Sequence, residues 1–207
     1  WWKPKRDPLP LAAETAAKGD SGQSGGKSSG GGEEKADVFD ATKTLMLYEG
    51  KSVAMLTPDE TLAFNMAGTD THYAFGSVTL EENEGPVTYD LKMRINHKTQ
   101  KLSFENGKPV FTFHIRASAK IVDSSKADSI LNITKTDLVP DKVLRAAEVK
   151  FEEQLTSIIE KSAETDCDIF NMKQKLYRSH FKQYARYKDS ILTDAVVRYD
   201  IRFSSMK

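Results

Sequence analysis

The sequence predicts an α+β fold, with helices packed mainly on one face of an antiparallel sheet and a long helix near the C-terminus. Several segments in the first two thirds of the chain alternate apolar and polar residues, which is the period of a half-buried strand. The last third mostly spaces its apolar residues by threes and fours, as amphipathic helices do. Alternation favours an antiparallel sheet over a doubly wound parallel core, because parallel strands are usually buried on both faces.

Composition divides the chain into a tail and one folded domain. The 207 residues carry no net charge, which argues against a dedicated nucleic-acid binder. Residues 18–35 are mostly Gly and Ser and contain no large apolar side chain, so burial cannot offset their ordering entropy. We expect residues 1–35 to be a flexible tail or linker from a preceding domain, and residues 36–207 to be the folded domain. A first residue of Trp1 instead of Met indicates a piece of a longer protein.

Five segments are predicted as strands. Residues 42–48 and 51–56 flank a turn at Glu49-Gly50. Asn106-Gly107 is a strong hairpin signal and joins the next two strands. The inward positions of the three longer strands are the apolar members of alternating runs: Val87, Tyr89, Leu91, Met93 and Ile95; Phe111, Phe113, Ile115, Ala117, Ala119 and Ile121; and Val197, Tyr199, Ile201 and Phe203.

A short helix is predicted directly after the second strand. Thr57 and Glu60 have the spacing of a capping box, in which each side chain bonds the backbone NH group of the other residue. Pro58 suits the first helical position, and Gly68 suits the position just beyond the helix C-terminus. The apolar residues of this helix are Leu62, Ala63 and Met66.

Two amphipathic helices of opposite charge are predicted in the last third. The first opens at Pro140-Asp141, and its stripe is Leu144, Ala147, Phe151, Leu155, Ile158 and Ser162. From Asp141 to Asp166 there are seven acids against four bases. The second follows Asp168-Ile169-Phe170, and its apolar positions fit one helix: Ile169, Met172, Leu176, Phe181, Tyr184 and Tyr187. From Asn171 to Lys188 it has no acid and six cations: Lys173, Lys175, Arg178, Lys182, Arg186 and Lys188.

The basic segment has three interpretations. In the first, which we favour, Tyr177, Phe181 and Tyr184 pack on the sheet and the cations face the acidic helix. In the second, exposed cations contact an acidic partner protein or an anionic membrane surface. In the third, cations and aromatic rings bind the phosphates and bases of a nucleic acid, which requires the cations to form one exposed stripe. Because six cations exceed the three-acid excess of the first helix, some positive charge should remain exposed.

No catalytic, cofactor-binding or metal site is expected, and no small-molecule ligand is evident. None of the four histidines lies three or four residues from another: His72, His97, His114 and His180. His114 falls on the polar face of its strand beside Arg116, which indicates a surface role. The lone Cys167 excludes an internal disulfide and a multi-cysteine metal site, so we expect a structural thiol.

Other short motifs are interpreted as structural. Glu81-Glu82 and Glu152-Glu153 are expected in loops or on solvated helix faces. Gly76-Ser77-Val78 lacks the second glycine of a nucleophile elbow. Asn132-Ile133-Thr134 matches a glycosylation sequon, a match that is common by chance.

The order of the elements resembles the Ger(x)C family, the C subunits of nutrient receptors for spore germination in endospore-forming bacteria. The segment from Lys51 to Thr61 is similar to the family's strand, T-x-E-E and helix at the start of its C-terminal domain. Asn106-Gly107-Lys108-Pro109 before a long strand and Asp168-Ile169-Phe170 before a short helix also fit. The resemblance extends from about Ala36 to Phe203. Asn171-Met172-Lys173 departs from the Gly-Phe-Gly common in the family.

The resemblance implies a noncatalytic domain of a lipoprotein subunit of a nutrient germinant receptor. In the family this subunit is tethered to the inner spore membrane by an N-terminal lipidated cysteine and works with two integral-membrane subunits. Cys167 lies between two helices, so the lipidated cysteine would lie upstream of this fragment. The alternatives are a basic nucleic-acid-binding module and an enzyme with an unrecognised site. No apolar run approaches about 18 residues, so we expect a soluble fragment without a transmembrane segment.

Overall fold

The computed structural model describes residues 43–125 and 138–206, and it confirms the predicted α+β class. The strands in these residues are β1 (Thr44–Tyr48), β2 (Lys51–Leu56), β3 (Tyr73–Glu82), β4 (Gly85–Glu105), β5 (Lys108–Ser124) and β6 (Val196–Ser205). The helices are α1 (Pro58–Gly68), α2 (Asp141–Glu164), α3 (Met172–Ser179), α4 (Phe181–Tyr187) and α5 (Ile191–Asp194). The predicted tail, residues 1–35, and the sequon at Asn132 lie outside the described residues.

The strands form a two-stranded sheet, β1–β2, and a four-stranded sheet in the order β3-β4-β5-β6. Strands β3, β4 and β5 pair antiparallel, but β6 pairs parallel with β5. The prediction of an antiparallel sheet is therefore wrong for the last strand. The connection from β5 to β6 contains the long helix α2, and a helical crossover of this kind returns the chain to the end where β5 began.

Two-residue turns set the register of the two predicted hairpins. Glu49 (φ 48°) and Gly50 (φ 78°) join β1 to β2, while Asn106 (φ 49°) and Gly107 (φ 78°) join β4 to β5. Positive φ at both positions is the type I′ pattern, whose twist matches that of the flanking strands. Both predicted turns are confirmed.

Strand β3 is not among the predicted strands. Its centre, Gly76-Ser77, interrupts the apolar alternation that marks the other strands. Glu81-Glu82, expected in a loop or on a helix face, are instead its last residues. Pairing with β4 over the full length of β3 supplies the order that the local pattern lacks.

The core lies between one face of the four-stranded sheet and helices α1, α2 and α3. Helix α2 buries the predicted stripe, with Val143 in addition: Leu144, Ala147, Phe151, Leu155, Ile158 and Ser162. The predicted inward residues of β4 and β5 are also buried. Phe113 packs edge-to-face on Phe111 and Phe170, with ring centroids 5.1 and 4.9 Å apart. These contacts confirm helices on one face of the sheet.

A capping box fixes the N-terminal end of α1, and a glycine lies at its C-terminal end. The predicted capping box is confirmed: Glu60 N donates to Thr57 Oγ1 (3.3 Å), and Thr57 N donates to Glu60 Oε2 (2.6 Å). The prediction for Gly68 is wrong, since this residue lies inside the helix and lacks a positive φ. A Cβ at Gly68 would lie 3.3 Å from the ring of Phe64 and 3.5 Å from that of Phe170. The glycine therefore makes room for two aromatic side chains.

A bulge in β4 changes which side chains face the helices. The register with β5 shifts between Ile95 and His97, so even-numbered residues point inward beyond it. Lys98 and Gln100 then donate to carbonyl oxygens at the C-terminal end of α1, and the bond from Gln100 to Ala67 is 3.0 Å long. These donors satisfy carbonyl groups that a helix end leaves unpaired.

Candidate contact surface

The basic segment begins at a turn organised by Asp168. This residue is buried, and its carboxylate accepts hydrogen bonds from the backbone NH groups of Met172 (2.7 Å) and Lys173 (2.7 Å). Asn171 precedes α3 in the left-handed conformation, with φ 56°. The carboxylate satisfies donors at the helix start and suits its positive end. Because Phe170 is buried in the core, the turn holds α3 on the domain.

The predicted basic helix is two helices, α3 and α4, separated at His180. His180 has φ −138°, and its Nε2 lies 2.9 Å from the carbonyl oxygen of Leu102. Phe104 packs between His180 and Tyr187, with ring centroids 5.0 and 5.6 Å away. The Tyr187 hydroxyl donates to the carbonyl oxygen of Gly107 (2.6 Å). Contacts with the β4–β5 hairpin thus fix the break, and the helical periodicity contains no sign of them.

Three aromatic side chains cluster where α3 meets α4. The ring of Tyr177 lies edge-to-face on Phe181 and Tyr184, with centroids 5.5 and 5.1 Å apart. Phe181 is 68% exposed and Tyr177 is 42% exposed. The expectation that these side chains pack on the sheet is wrong for Tyr177 and Phe181. A helical stripe in the sequence shows which residues share a face of the helix, but it does not show whether other elements cover that face. Here the face is only partly covered.

Two of the six predicted cations are partly buried and bonded within the domain. Lys173 Nζ lies 2.7 Å from Asp166 Oδ1. Burial alone would lower the pKa of Lys173, but the hydrogen bond and charge of Asp166 outweigh burial and raise it. Lys175 donates to the carbonyl oxygen of Phe170 and lies 5.6 Å from the centre of the Phe111 ring. Burial lowers the pKa of Lys175. These two lysines therefore serve the fold.

The other four cations are exposed: Arg178, Lys182, Arg186 and Lys188. Lys188 lies 3.9 Å from Asp189. In the described residues no carboxylate pairs with the other three, so the expectation that the cations face the acidic helix is wrong for them. Since Lys173 and Lys175 turn inward, the six cations also do not form the single exposed stripe expected of a nucleic-acid binder. We call Tyr177, Arg178, Phe181, Lys182, Tyr184 and Arg186 the basic-aromatic surface.

The basic-aromatic surface combines apolar ring area with positive charge. Its cations can form charge-assisted hydrogen bonds with carboxylates or phosphates. Its exposed rings can cover such contacts and exclude water from them. Aromatic residues and arginine are enriched at protein interfaces, whereas lysine and acidic residues are depleted there. The arrangement therefore suits contact with another macromolecule more than chemistry on a small one.

His114 lies in an ion-pair cluster on the polar side of β5, where the sequence places it. Its Nδ1 is 3.1 Å from Asp200 Oδ2, and Arg116 Nη2 is 2.7 Å from the same oxygen. The hydrogen bonds from Arg116 and then His114 lower the pKa of Asp200 to about 2. The cluster joins β5 to β6. His114 therefore lies at the surface, as predicted, and helps to hold these two strands together.

The remaining predicted residues lie apart from one another. Cys167 is buried, with Sγ 3.6 Å from the carbonyl oxygen of Leu47, while His72 and His97 are exposed. Glu152-Glu153 lie on the exposed face of α2, as expected. Within residues 43–125 and 138–206, no three His, Cys, Asp or Glu side chains are grouped to hold a metal ion. No helix in these ranges is long and apolar enough to cross a membrane.

Comparisons with known proteins agree with the fold and with the resemblance. The family model described as "Spore germination B3/ GerAC like, C-terminal" matches residues 42–204. The crystal structure of the GerBC protein matches with a TM-score of 0.56 and 21% identity, covering 79% of this chain. The chain spans 50% of the GerBC chain. The search of curated proteins gives no match. The predicted resemblance is confirmed: the chain belongs to the spore germination B3/GerAC-like family and corresponds to the C-terminal domain of that family.

Proposed function

We propose that this domain is a noncatalytic part of a membrane-tethered lipoprotein, the C subunit of a nutrient germinant receptor. Family membership supports a role in spore germination and in the receptor C subunit. The lipid tether, the inner spore membrane and the integral-membrane partner subunits are further parts of the proposal. In it, the domain acts through protein–protein contacts and leaves nutrient recognition to the membrane subunits.

The observation that carries the contact role is the basic-aromatic surface. An ordinary solvated face has charged side chains but seldom a phenylalanine that is 68% exposed beside cations that pair with no carboxylate of the described residues. Burying the Phe181 and Tyr177 rings against a partner would stabilise a complex, and Arg178, Lys182 and Arg186 would select a partner of negative charge. We infer an acidic region of an integral-membrane subunit as this partner. Anionic lipid headgroups offer the same charge and are the second candidate.

A photo-crosslinking amino acid in place of Phe181 tests the contact in membranes that contain the assembled receptor. We expect a cross-link to an integral-membrane subunit. A matched probe in place of Val149, which is 56% exposed on α2, should give none. Cross-links from position 149 alone would place the contact elsewhere, and cross-links only to lipid would assign the surface to the membrane. If the parent protein does not co-purify with receptor subunits, the receptor assignment itself is wrong.

A further inference from the structure

The free edge of β3 is a second surface with unused binding groups. In the described residues β3 pairs with β4 alone. Ile95 N donates to the carbonyl oxygen of His72 (2.9 Å), so His72 and Ile95 form a hydrogen-bonded pair. Hydrogen-bonded and non-hydrogen-bonded pairs alternate along an antiparallel ladder. Tyr73 and Phe75 fall between the hydrogen-bonded pairs, so their backbone NH and C=O groups point away from β4. They are therefore placed to pair with an added strand.

The middle of this edge is closed by a lysine from α2. Lys150 Nζ donates to the carbonyl oxygen of Ser77 (3.0 Å) and lies 2.8 Å from the carboxylate of Asp59. A lysine at a strand edge is a common protection against unwanted pairing. The open part of the edge is therefore the end that contains Tyr73 and Phe75.

The side chains at this end are apolar and basic. Tyr73 is 54% exposed and Phe75 is 64% exposed, on the sheet face opposite the helices. Lys92 Nζ lies 5.2 Å from the centre of the Tyr73 ring and 5.9 Å from that of Phe75. Because these rings belong to the edge strand, the ammonium group of Lys92 leans toward the edge. Arg94 lies opposite Tyr73 in the register, and Lys120 lies opposite Lys92 on the other side of β4.

Charge on this sheet face is divided along the strands. In the described residues no carboxylate pairs with Lys92, Arg94 or Lys120. Asp90, opposite both Ser77 and Asp123, lies toward the closed part of the edge, while exposed Asp70 precedes β3 and lies near Lys98. The open end of the edge is therefore the positively charged end.

We propose that an extended acidic segment of a partner protein adds as a strand beside β3 at Tyr73–Phe75. Its backbone would pair with the outward NH and C=O groups of these two residues. Carboxylates two residues apart would lie on one face about 7 Å from each other, the spacing of Lys92 and Arg94 on β4. The added strand and β4 would be roughly 10 Å apart, and long acidic and basic side chains span that distance across the aromatic rings.

Binding of a defined peptide tests this inference independently of the germination role. The probe is a six-residue peptide of alternating Glu and Val, added to the isotopically labelled chain and followed by NMR. We expect amide shifts and slowed hydrogen exchange at Tyr73 and Phe75. Lys92→Glu with Arg94→Glu should weaken binding at least about tenfold, since the peptide carboxylates lose their partners. Lys182→Glu with Arg186→Glu, on the basic-aromatic surface, should leave these shifts unchanged.

A second comparison separates strand addition from simple charge attraction. Phe75→Pro removes the outward NH group but leaves the ladder with β4, whereas Phe75→Ala removes only the ring. We expect the proline variant to bind the peptide at least about fivefold more weakly than the alanine variant. Should the proline variant fail to fold, the charge-reversal pair at Lys92 and Arg94 decides.

Four results would overturn the inference. An equal affinity for a peptide of alternating Lys and Val would show that charge plays no part. Shifts confined to α3 and α4 would place the peptide on the other surface, and the absence of any shift at millimolar peptide would show no binding. Binding to vesicles with about 30% anionic lipid that Lys92→Glu and Arg94→Glu abolish would assign the surface to lipid instead.

Discussion

Glu60 connects α1 to α2 through more hydrogen bonds than its capping role requires. Glu60 is 3% exposed. Its carboxylate accepts hydrogen bonds from Lys161 Nζ (2.6 Å), Ser157 Oγ (2.6 Å) and Thr57 N (2.6 Å). Burial would raise the pKa of Glu60, but the hydrogen bonds from Lys161, Ser157 and Thr57 together lower it to about 2. The ionised carboxylate is therefore part of the folded state.

Replacing Glu60 with Gln should lower the free energy of unfolding by about 3 kcal/mol, because it leaves the Lys161 ammonium partly buried without its counter-ion. Urea titration measures the change. Glu153→Gln, on the exposed face of α2, is the matched control and should stay within about 0.5 kcal/mol of the parent chain. A loss below about 1 kcal/mol for Glu60→Gln would show that water replaces the carboxylate at little cost.

Glu60 also predicts an acid-sensitive stability. Since its pKa is lowered from 4.5 to about 2 in the folded state, its contribution is complete above about pH 4.5 and is lost as the pH falls toward 2. The difference in unfolding free energy between the parent chain and Glu60→Gln should therefore be largest near neutral pH and shrink below about pH 3. An equal difference at neutral pH and below about pH 3 would mean that these contacts do not lower the pKa of Glu60.

At the scale of elements, the sequence predicts what depends on local periodicity. The α2 stripe and the inward residues of β4 and β5 are confirmed because a buried face imposes its spacing on the chain. The parallel pairing of β6 is set by the path of the crossover. The alternation of apolar residues in β6 is the same for a parallel and an antiparallel strand, so it does not predict the direction. The break at His180 is likewise set by contacts with Leu102 and Phe104 on another element. Exposure of Phe181, and with it the candidate surface, depends on that break.

Helix α2 should depend on Phe151, which is buried and packs edge-to-face on Phe203 with centroids 6.1 Å apart. Phe151→Ala should cost on the order of 3–5 kcal/mol through lost burial and the cavity it leaves. The control is Val149→Ala on the same helix, 56% exposed, which should change the free energy of unfolding by less than about 0.5 kcal/mol. Equal effects of the two variants would contradict the assigned face of α2.

The whole domain presents two differently built surfaces around one core. The basic-aromatic surface lies at α3 and α4, beside the β4–β5 hairpin. The open edge of β3 lies at the far side of the sheet, separated from β6 by β4 and β5. Under the two proposals made above, the domain would contact two partner segments at once.

Residues 1–35 lie outside the described residues, and we propose that the domain folds without them. The reason is their composition, since residues 18–35 have no large apolar side chain whose burial could offset an ordering cost of about 1–2 kcal/mol per residue. Deleting residues 1–35 should leave the midpoint of thermal unfolding unchanged within a few degrees. A larger drop would show that these residues pack on the domain.

The central claim, that the basic-aromatic surface is a contact surface, is tested most directly by the germination rate of spores that carry Lys182→Gln with Arg186→Gln. Exposed charges contribute only about 0–1 kcal/mol to stability, so the purified variant should unfold like the parent chain. The matched control is Lys51→Gln with Lys101→Gln, which removes two exposed cations elsewhere. We predict slower germination and weaker receptor assembly, more so at low salt, for the first pair alone. Normal germination of a folded Lys182→Gln, Arg186→Gln variant would contradict the claim and leave this surface a solvated face.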